Sequence, residues 1–484
     1  MLKINNLVLK HKNKIIINNV SFALKESEQV TIIGKSGSGK SLLVRSILNL
    51  NDRKVFSYQI DSLIEYRGRN ILNISEKNLR NIRGKEISMV FQDPFLSLNP
   101  SHDILKQLKE MFLIHNISDV DIEKQIAQIL KDVGLEIFLQ DKSKIFPHQL
   151  SGGQRQRLNI AIAAILKPKL IIADEVTTAL DNDSQKLIIK LLDVLRVKYK
   201  VAIIFVTHDL ELAKKFNSRI ILMDQGSILA DLAKFSELKI IDNIKIKKLI
   251  EANDLKILRP NAMNEEVIKV ENLCVKYESK GFFSHEDNIV IDNLSFTINK
   301  GETLGVVGKS GSGKSSLARS LLRLQNCSGM IWYNNLLISD LDYKSMKSLR
   351  RDLQIIYQDP YASLNPKMKI CNILYEGLNA HKIKNSNLLI NKVLKEVGLG
   401  VEFLNRYPVQ MSGGERQKLA IARSLILMPK FLILDEPTAS LDKFSQKEII
   451  MLLLRLQRKY QLSYMFISHD VNLVKKFSHR YIAL

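Results

Sequence analysis

At 484 residues the chain is too long for one ordinary hydrophobic core, so its length calls for two domains or more. With 45% hydrophobic and 25% charged residues it reads as a globular protein, and its formal net charge of +22 attracts anions of many kinds (nucleotides, nucleic acids, acidic lipid surfaces) without selecting one. Cys274, Cys327 and Cys371 are scattered with no C-x-x-C pair, which argues against a disulfide scaffold or a cysteine metal cluster and suits a reducing compartment.

No apolar run approaches the roughly 20 residues that a membrane-spanning helix needs. The N-terminal MLKINNLVLKHKNK alternates and then turns polar, without the apolar segment and small-residue cleavage site of a secretory signal. A cytosolic chain is expected, with peripheral attachment to a membrane left open.

INNLVLK and IIINNVSF open the chain as strand-like runs, and QVTIIGKSGSGKSLLVRSILNL then reads as a short apolar strand, a glycine-rich turn and an amphipathic helix. A Gly-x-x-x-x-Gly-Lys-Ser turn lets successive backbone N–H groups wrap phosphate oxygens, and the helix behind it adds its positive N-terminus. Gly34, Lys35, Ser36, Gly37, Ser38 and Gly39 form this cradle, Lys40 is placed to neutralise β- and γ-phosphates, and Ser41 to ligate Mg2+. FQDPFLSLNP, from Phe91 to Pro100, consists of turn formers without a strong nucleophile, and by itself is a surface turn. DVDIEKQIAQILKDVGL is periodic and reads as part of a helical insert before the SGGQRQ that starts at Ser151. Asp174 ends the apolar run KLIIAD, where a carboxylate can reach a Mg2+ shell, and Glu175 beside it can orient or deprotonate a water. His208 ends a further apolar run, VAIIFVTHD, 34 residues beyond Asp174; taken alone such a histidine is more often structural than catalytic.

The same blocks then return. GKSGSGKS recurs as Gly308, Lys309, Ser310, Gly311, Ser312, Gly313, Lys314 and Ser315, at an offset of 274. SGGERQ at Ser412, the Asp435-Glu436 pair and His469 each repeat their first-half counterparts at an offset of 261. Ordered duplication at nearly constant spacing means two homologous domains, 1–235 and 265–484, joined by a linker over 236–264 that ends in the breaker RPN. The apolar strands alternate with helical stretches, as in an α/β fold with a helix-covered sheet.

Walker A alone would fit any P-loop NTPase; with SGG, the Asp-Glu pair and the histidine at these spacings, the chain resembles a tandem ATP-binding-cassette (ABC) ATPase over nearly its whole length. The resemblance implies an α/β fold of two P-loop NTPase domains, each with a RecA-like mixed sheet core, an antiparallel β subdomain and a helical subdomain. It implies ATP as substrate, Mg2+ as cofactor, and site residues in both halves. His11 and Tyr277 stand at the adenine-stacking position, Gln92 and Gln358 are the Q-loop glutamines reaching Mg2+ or water, and Ser41, Asp174, Ser315 and Asp435 complete the metal set. Ser151, Gly152, Gly153 and Gln154, with Ser412, Gly413, Gly414 and Glu415, are the signature residues. ALD from Ala179 and SLD from Ser440 are the D-loops, and Glu175, His208, Glu436 and His469 carry catalysis. In this family two domains face head to tail in a pseudo-two-fold contact, so each ATP would lie between one domain's Walker A and the other's SGG.

The QDP…SLNP segments, together with PHQLSGGQRQR in the first half and RYPVQMSGGERQKLAIAR in the second, are similar to the oligopeptide/dipeptide (peptide/nickel) importer branch. The difference between the halves resembles the fusion of a paired system rather than a recent duplication. That likeness implies two permease subunits docking at the Q-loop grooves, a solute-binding protein acting indirectly, no nucleic acid, and a place at the cytoplasmic face of the inner membrane. Nickel or another small solute is the nearest alternative cargo. A ribosome-associated tandem ABC translation factor is the alternative class, but it usually has a long charged linker, whereas LKIIDNIKIKKLIEANDLKILRPN is short and half apolar. The family pattern is broken at Val176, where Pro usually follows the catalytic Glu as Pro437 does in the second half, and at His11, whose smaller ring is expected to weaken nucleotide binding at the first site. HRYIAL ends in the strand that matches SRIILMDQG, so an exposed sheet edge and a weakened second domain are expected there.

Overall fold

The computed structural model describes residues 1–118, 120–139, 144–177, 180, 182–239, 257–278, 287–309, 311–384, 386–439 and 441–484. Ser310, the D-loop residues Ala179, Asp181 and Ser440, and the linker stretch 240–256 lie outside the described residues. The chain divides into two compact units, Met1–Ile250 and Glu251–Leu484.

The described strands of the first unit are β1 (Leu2–His11), β2 (Lys14–Leu24), β3 (Gln29–Gly34), β4 (Phe56–Tyr58), β5 (Leu63–Tyr66), β6 (Arg69–Asn70), β7 (Ile87–Val90), β8 (Leu170–Asp174), β9 (Ala202–Thr207), β10 (Arg219–Asp224) and β11 (Ser227–Leu232). They form two sheets. One is antiparallel, in the order β2-β1-β5-β6 with β4 also on β1; the other runs β11-β10-β3-β9-β8-β7, parallel except for the β10–β11 hairpin. β8 and β9 are buried along their whole length, as apolar runs covered on both faces must be. At the tip of the β10–β11 hairpin Gln225 and Gly226 both have positive φ, the conformation that a tight two-residue turn demands. A Cβ on Gly226 would lie 2.2 Å from the Ile16 carbonyl oxygen, so only glycine fits there.

The second unit has β12 (Glu266–Glu278), β13 (Asp287–Asn299), β14 (Thr303–Val307), β15 (Ser328–Tyr333), β16 (Leu336–Leu337), β17 (Leu353–Ile356), β18 (Phe431–Asp435), β19 (Ser463–Ile467) and β20 (Arg480–Ala483). Its antiparallel sheet runs β13-β12-β15-β16 and its parallel sheet β17-β18-β19-β14-β20. Among the described strands β20 lies at the edge and pairs with β14 alone, where β10 of the first unit also pairs with β11. Residues 257–260, within the stretch read as linker, pack on this unit. Ile257 lies against its helical core, Arg259 donates to the carbonyls of Lys475 (2.7 Å) and Lys476 (3.0 Å) at a helix C-terminus, and His479 accepts from the Thr303 amide while its other ring nitrogen lies 2.7 Å from the Pro260 oxygen.

Each unit also has a helical layer, as the fold class requires. In the first, helices Ile104–Ile114, Ile122–Asp132 and Gly152–Ala164 bury Leu108, Phe112, Ile126, Ile129, Leu130 and Leu158 in one core. Asp132 ties this layer to the long helix Asn182–Tyr199, accepting from Lys198 (2.7 Å), Tyr199 (2.5 Å) and Gln128 (2.8 Å). Burial alone would raise this carboxyl, but the three hydrogen bonds outweigh it and hold it below its ordinary value of 3.8. A depressed carboxyl stabilises the fold above its unfolded value, and the gain is lost as pH falls through the folded value. Asp132→Asn is therefore expected to lower the first unit's thermal midpoint at pH 7 by about 2–4 °C, for a loss of about 1 kcal/mol after screening of the half-exposed Lys198. Calorimetry checks this, and an equal loss at pH 3 would detach the effect from the ionised group.

Candidate functional site

In each unit the C-terminal ends of the parallel strands lie side by side. In the first, Ile33 pairs with Thr207 and Asp174 with Val206, so the loops after β3, β8 and β9 open at one place. The turn after β3 needs its glycines. Gly37 and Gly39 have φ of 77° and 96°, and a Cβ on Gly34 would meet the Met223 oxygen at 2.4 Å. Gly311 and Gly313 repeat this with φ of 84° and 95°. The helices that follow, Lys40–Ile47 and Lys314–Leu321, have no side-chain cap, so their first amides are open to an anion.

Lys40 is 4% exposed, and its ammonium donates back to the Gly34 and Lys35 carbonyls at 2.8 and 2.9 Å. Lys314 does the same with Gly308 (2.9 Å) and Lys309 (2.7 Å). Each loop is thus closed over a fixed positive charge, which also lies 3.6 Å from Glu175 in the first unit. The buried hydroxyls of Ser38 and Ser312 have no hydrogen-bond partner among the described residues.

Ser41 donates to Asp174 at 3.0 Å. Burial, reinforced by the adjacent Glu175 charge and tempered by Ser41, pushes the Asp174 carboxyl up to about 6. Burial raises Asp435 as well, with Ser315 tempering it in the same way. Glu175 and Glu436 have φ of 49° and 46°, left-handed values that a residue with a Cβ adopts at a cost; the Glu175 amide donates to Val206 and the Glu436 amide to Ile467, both at 3.0 Å, which holds them in place. The twist turns each carboxylate away from its strand and into the cluster. Glu175 accepts from Gln92 at 3.0 Å, and His208 approaches it at 3.4 Å, short of an aligned hydrogen bond. Glu436 is met by Gln358 at 3.1 Å and by His469 at 3.2 Å. Burial would raise Glu175, but His208 and Lys40 outweigh it and keep the group below its ordinary range. The Glu436 hydrogen bond raises His469, favouring its charged form.

Lys40, Ser41, Gln92, Asp174, Glu175 and His208 therefore meet in the first unit, and Lys314, Ser315, Gln358, Asp435, Glu436 and His469 in the second. The signature residues have a different local part. Ser151 caps the helix Gly152–Ala164 by accepting from the Gln154 amide, while the Gln154 side chain accepts from the Ser151 amide at 2.9 Å. Ser412 and Glu415 form the same box, at 2.7 Å for the returning bond. Gln154 and Glu415 thus hold their own helix ends in shape, a role legible in the S-x-x-Q/E spacing. A Cβ on Gly152 would meet nothing within 4 Å among the described residues, so packing inside the unit does not require that glycine.

His11 ends β1 with its ring 5.4 Å from that of Phe56, a neighbour that sequence reasoning did not identify. Tyr277 is half-exposed, its hydroxyl 2.9 Å from Ser316 and donating to Gln325 at 3.0 Å.

Among the described residues no helix is long and apolar enough to cross a membrane. The family model described as ABC transporter matches residues 17–178 and 291–439. An uncharacterized ABC transporter ATP-binding protein YejF of Escherichia coli K12 is 38% identical over 100% of this chain and 94% of its own length. A peptidoglycan transport ATP-binding protein YejF of Agrobacterium fabrum is 37% identical over 97% of this chain and 87% of its own. A glutathione import ATP-binding protein GsiA of Escherichia coli K12 is 35% identical over 96% of this chain and 81% of its own.

Proposed function

Because the chain belongs to the ABC transporter family, as two ATP-binding domains in tandem, we propose that it is the ATP-hydrolysing motor of an importer for oligopeptides, dipeptides or peptide-like compounds. The observation that carries the motor is the doubled cluster in which a P-loop lysine, a Ser-Asp pair and a Glu flanked by Gln and His meet. The cargo class is supported by the relatives named for glutathione import and peptidoglycan transport.

The loop amides and Lys40 or Lys314 bind the phosphates. Glu175 and Glu436 accept a proton from, or align, the attacking water at a carboxylate oxygen, and Gln92 and Gln358 fix the rotamers of those carboxylates. His208 and His469, next to the same carboxylates, contact the γ-phosphate. A hydroxyl and a buried carboxylate are hard oxygen donors of the kind Mg2+ takes; Ser41, Gln92 and Asp174 would hold it in one unit and Ser315, Gln358 and Asp435 in the other, where it would neutralise phosphate charge. The signature residues Ser151–Gln154 and Ser412–Glu415 bind phosphate in the ATP-bound state; the bare backbone at Gly152, unneeded by packing inside its own unit, supports a ligand-facing role.

The Q-loop segments receive two permease subunits at the cytoplasmic face of the membrane, and Phe91 and Tyr361, 39% and 46% exposed, offer them apolar surface. A solute-binding protein delivers cargo to the permeases. Fractionation tests the assignment: with the two permeases co-expressed the chain is expected in the membrane fraction, and in proteoliposomes it is expected to drive ATP-dependent uptake of short peptides. Cosedimentation with ribosomes and indifference to the permeases would overturn the transport reading, and uptake of nickel but not peptides would overturn the cargo.

A further inference from the structure

We propose that Phe56 completes the base-binding surface of the first nucleotide site, forming with His11 a two-ring platform where the second site uses Tyr277. The proposal rests on the reading of the P-loops as ATP sites.

The chain runs 52 residues from Lys40 to Gln92 but 44 from Lys314 to Gln358, so the first unit has eight more between its P-loop and Q-loop. Part of this longer stretch is β4, which zips onto the end of β1 with Phe56 directly opposite His11. Directly opposed residues of an antiparallel pair project to the same face. Here the rings lie 5.4 Å apart and tilted by 49°, a favourable aromatic arrangement. That face also carries Leu9, two residues back along β1 and wholly buried, so it is the side that packs toward the P-loop helix. Phe56 is itself half-buried, with one part against this core and the rest open.

Two contacts place the pair beside the phosphate loop. The strand after His11 reaches the loop, since a Cβ on Gly39 would lie 3.4 Å from the Ile16 oxygen. β4 is anchored to the P-loop helix through Asn51, which donates to Tyr58 at 3.1 Å and to Ser46 at 2.9 Å, and Arg53 stacks over the Tyr58 ring at 4.6 Å. A nucleotide whose phosphates sit on the loop amides extends its base away from the helix end, and a flat heterocycle gains by stacking on exposed aromatic faces. In the second unit β15 pairs with β12 only as far as Cys274, and Tyr277 beyond it is steadied by Ser316 and Gln325 instead. Phe56 thus adds ring area beside the small ring of His11.

The test uses the full chain with Lys314→Ala, so that nucleotide is read at the first site, and compares ATP with inorganic tripolyphosphate, which has phosphates and no base. Phe56→Leu, which keeps apolar packing and removes the π face, is expected to weaken ATP on the order of tenfold and leave tripolyphosphate unchanged. Phe56→Tyr is expected to restore ATP affinity. Unchanged ATP affinity in Phe56→Leu, or equal weakening of both ligands, would overturn the platform. Adding Lys40→Ala to the Lys314→Ala chain tests the underlying reading separately, because tripolyphosphate binding that survived it would place the phosphates elsewhere whatever Phe56 does.

Discussion

Replacing Glu175 and Glu436 together by Gln is expected to lower ATP turnover by roughly 10²–10⁴-fold while ATP still binds, the range that a positioned general base contributes. In each unit Gln and His converge on the Glu carboxylate, and in the first Lys40 also lies 3.6 Å away, so that Glu175 is kept ionised by His208 and Lys40 despite its burial. Gln is isosteric and keeps one oxygen for Gln92 or Gln358, so the loss isolates the proton-accepting oxygen from the packing. Single-turnover hydrolysis and equilibrium ATP binding separate the two. A double variant that turned over within tenfold of the original would remove these residues from the chemistry.

Lys40→Ala, read in the Lys314→Ala chain, is expected to weaken ATP at the first site by about 30-fold or more, since removing a desolvated charge from an anion costs about 2–5 kcal/mol. The ammonium fills a cradle of two carbonyls at 2.8 and 2.9 Å and is almost wholly buried. Lys40→Arg is not expected to rescue it, because a planar guanidinium cannot replace a compact ammonium in that cradle. Calorimetric titration with ATP measures both. ATP affinity within twofold of the parent chain would show that the loop amides alone hold the phosphates.

The P-loops were legible because their chemistry is local: left-handed glycines, a lysine and a hydroxyl follow one another along a turn between an apolar strand and a helix. Asp174 and Glu175 were legible at the end of a run of five buried residues. The local roles of Gln154 and Glu415 were also within reach, since a capping box spans four residues. Phe56 was out of reach, because nothing in residues 52–62 indicates that β4 will pair with β1 at His11 rather than form a surface loop.

By itself, the sequence determined the duplication, the two phosphate loops, the apolar strands that carry the acidic pair and the histidine, and the family. The tertiary structure decided which of these residues touch. Gln92 reaches Glu175 across 83 positions of chain, and His208 approaches the same carboxylate, because the order β3-β9-β8-β7 sets their strand ends side by side. It also decided that residues 257–260 pack on the second unit. The physical reason is range: backbone geometry and hydrophobic periodicity act between near neighbours in sequence, whereas sheet order and register arise only when distant segments bury their surfaces together.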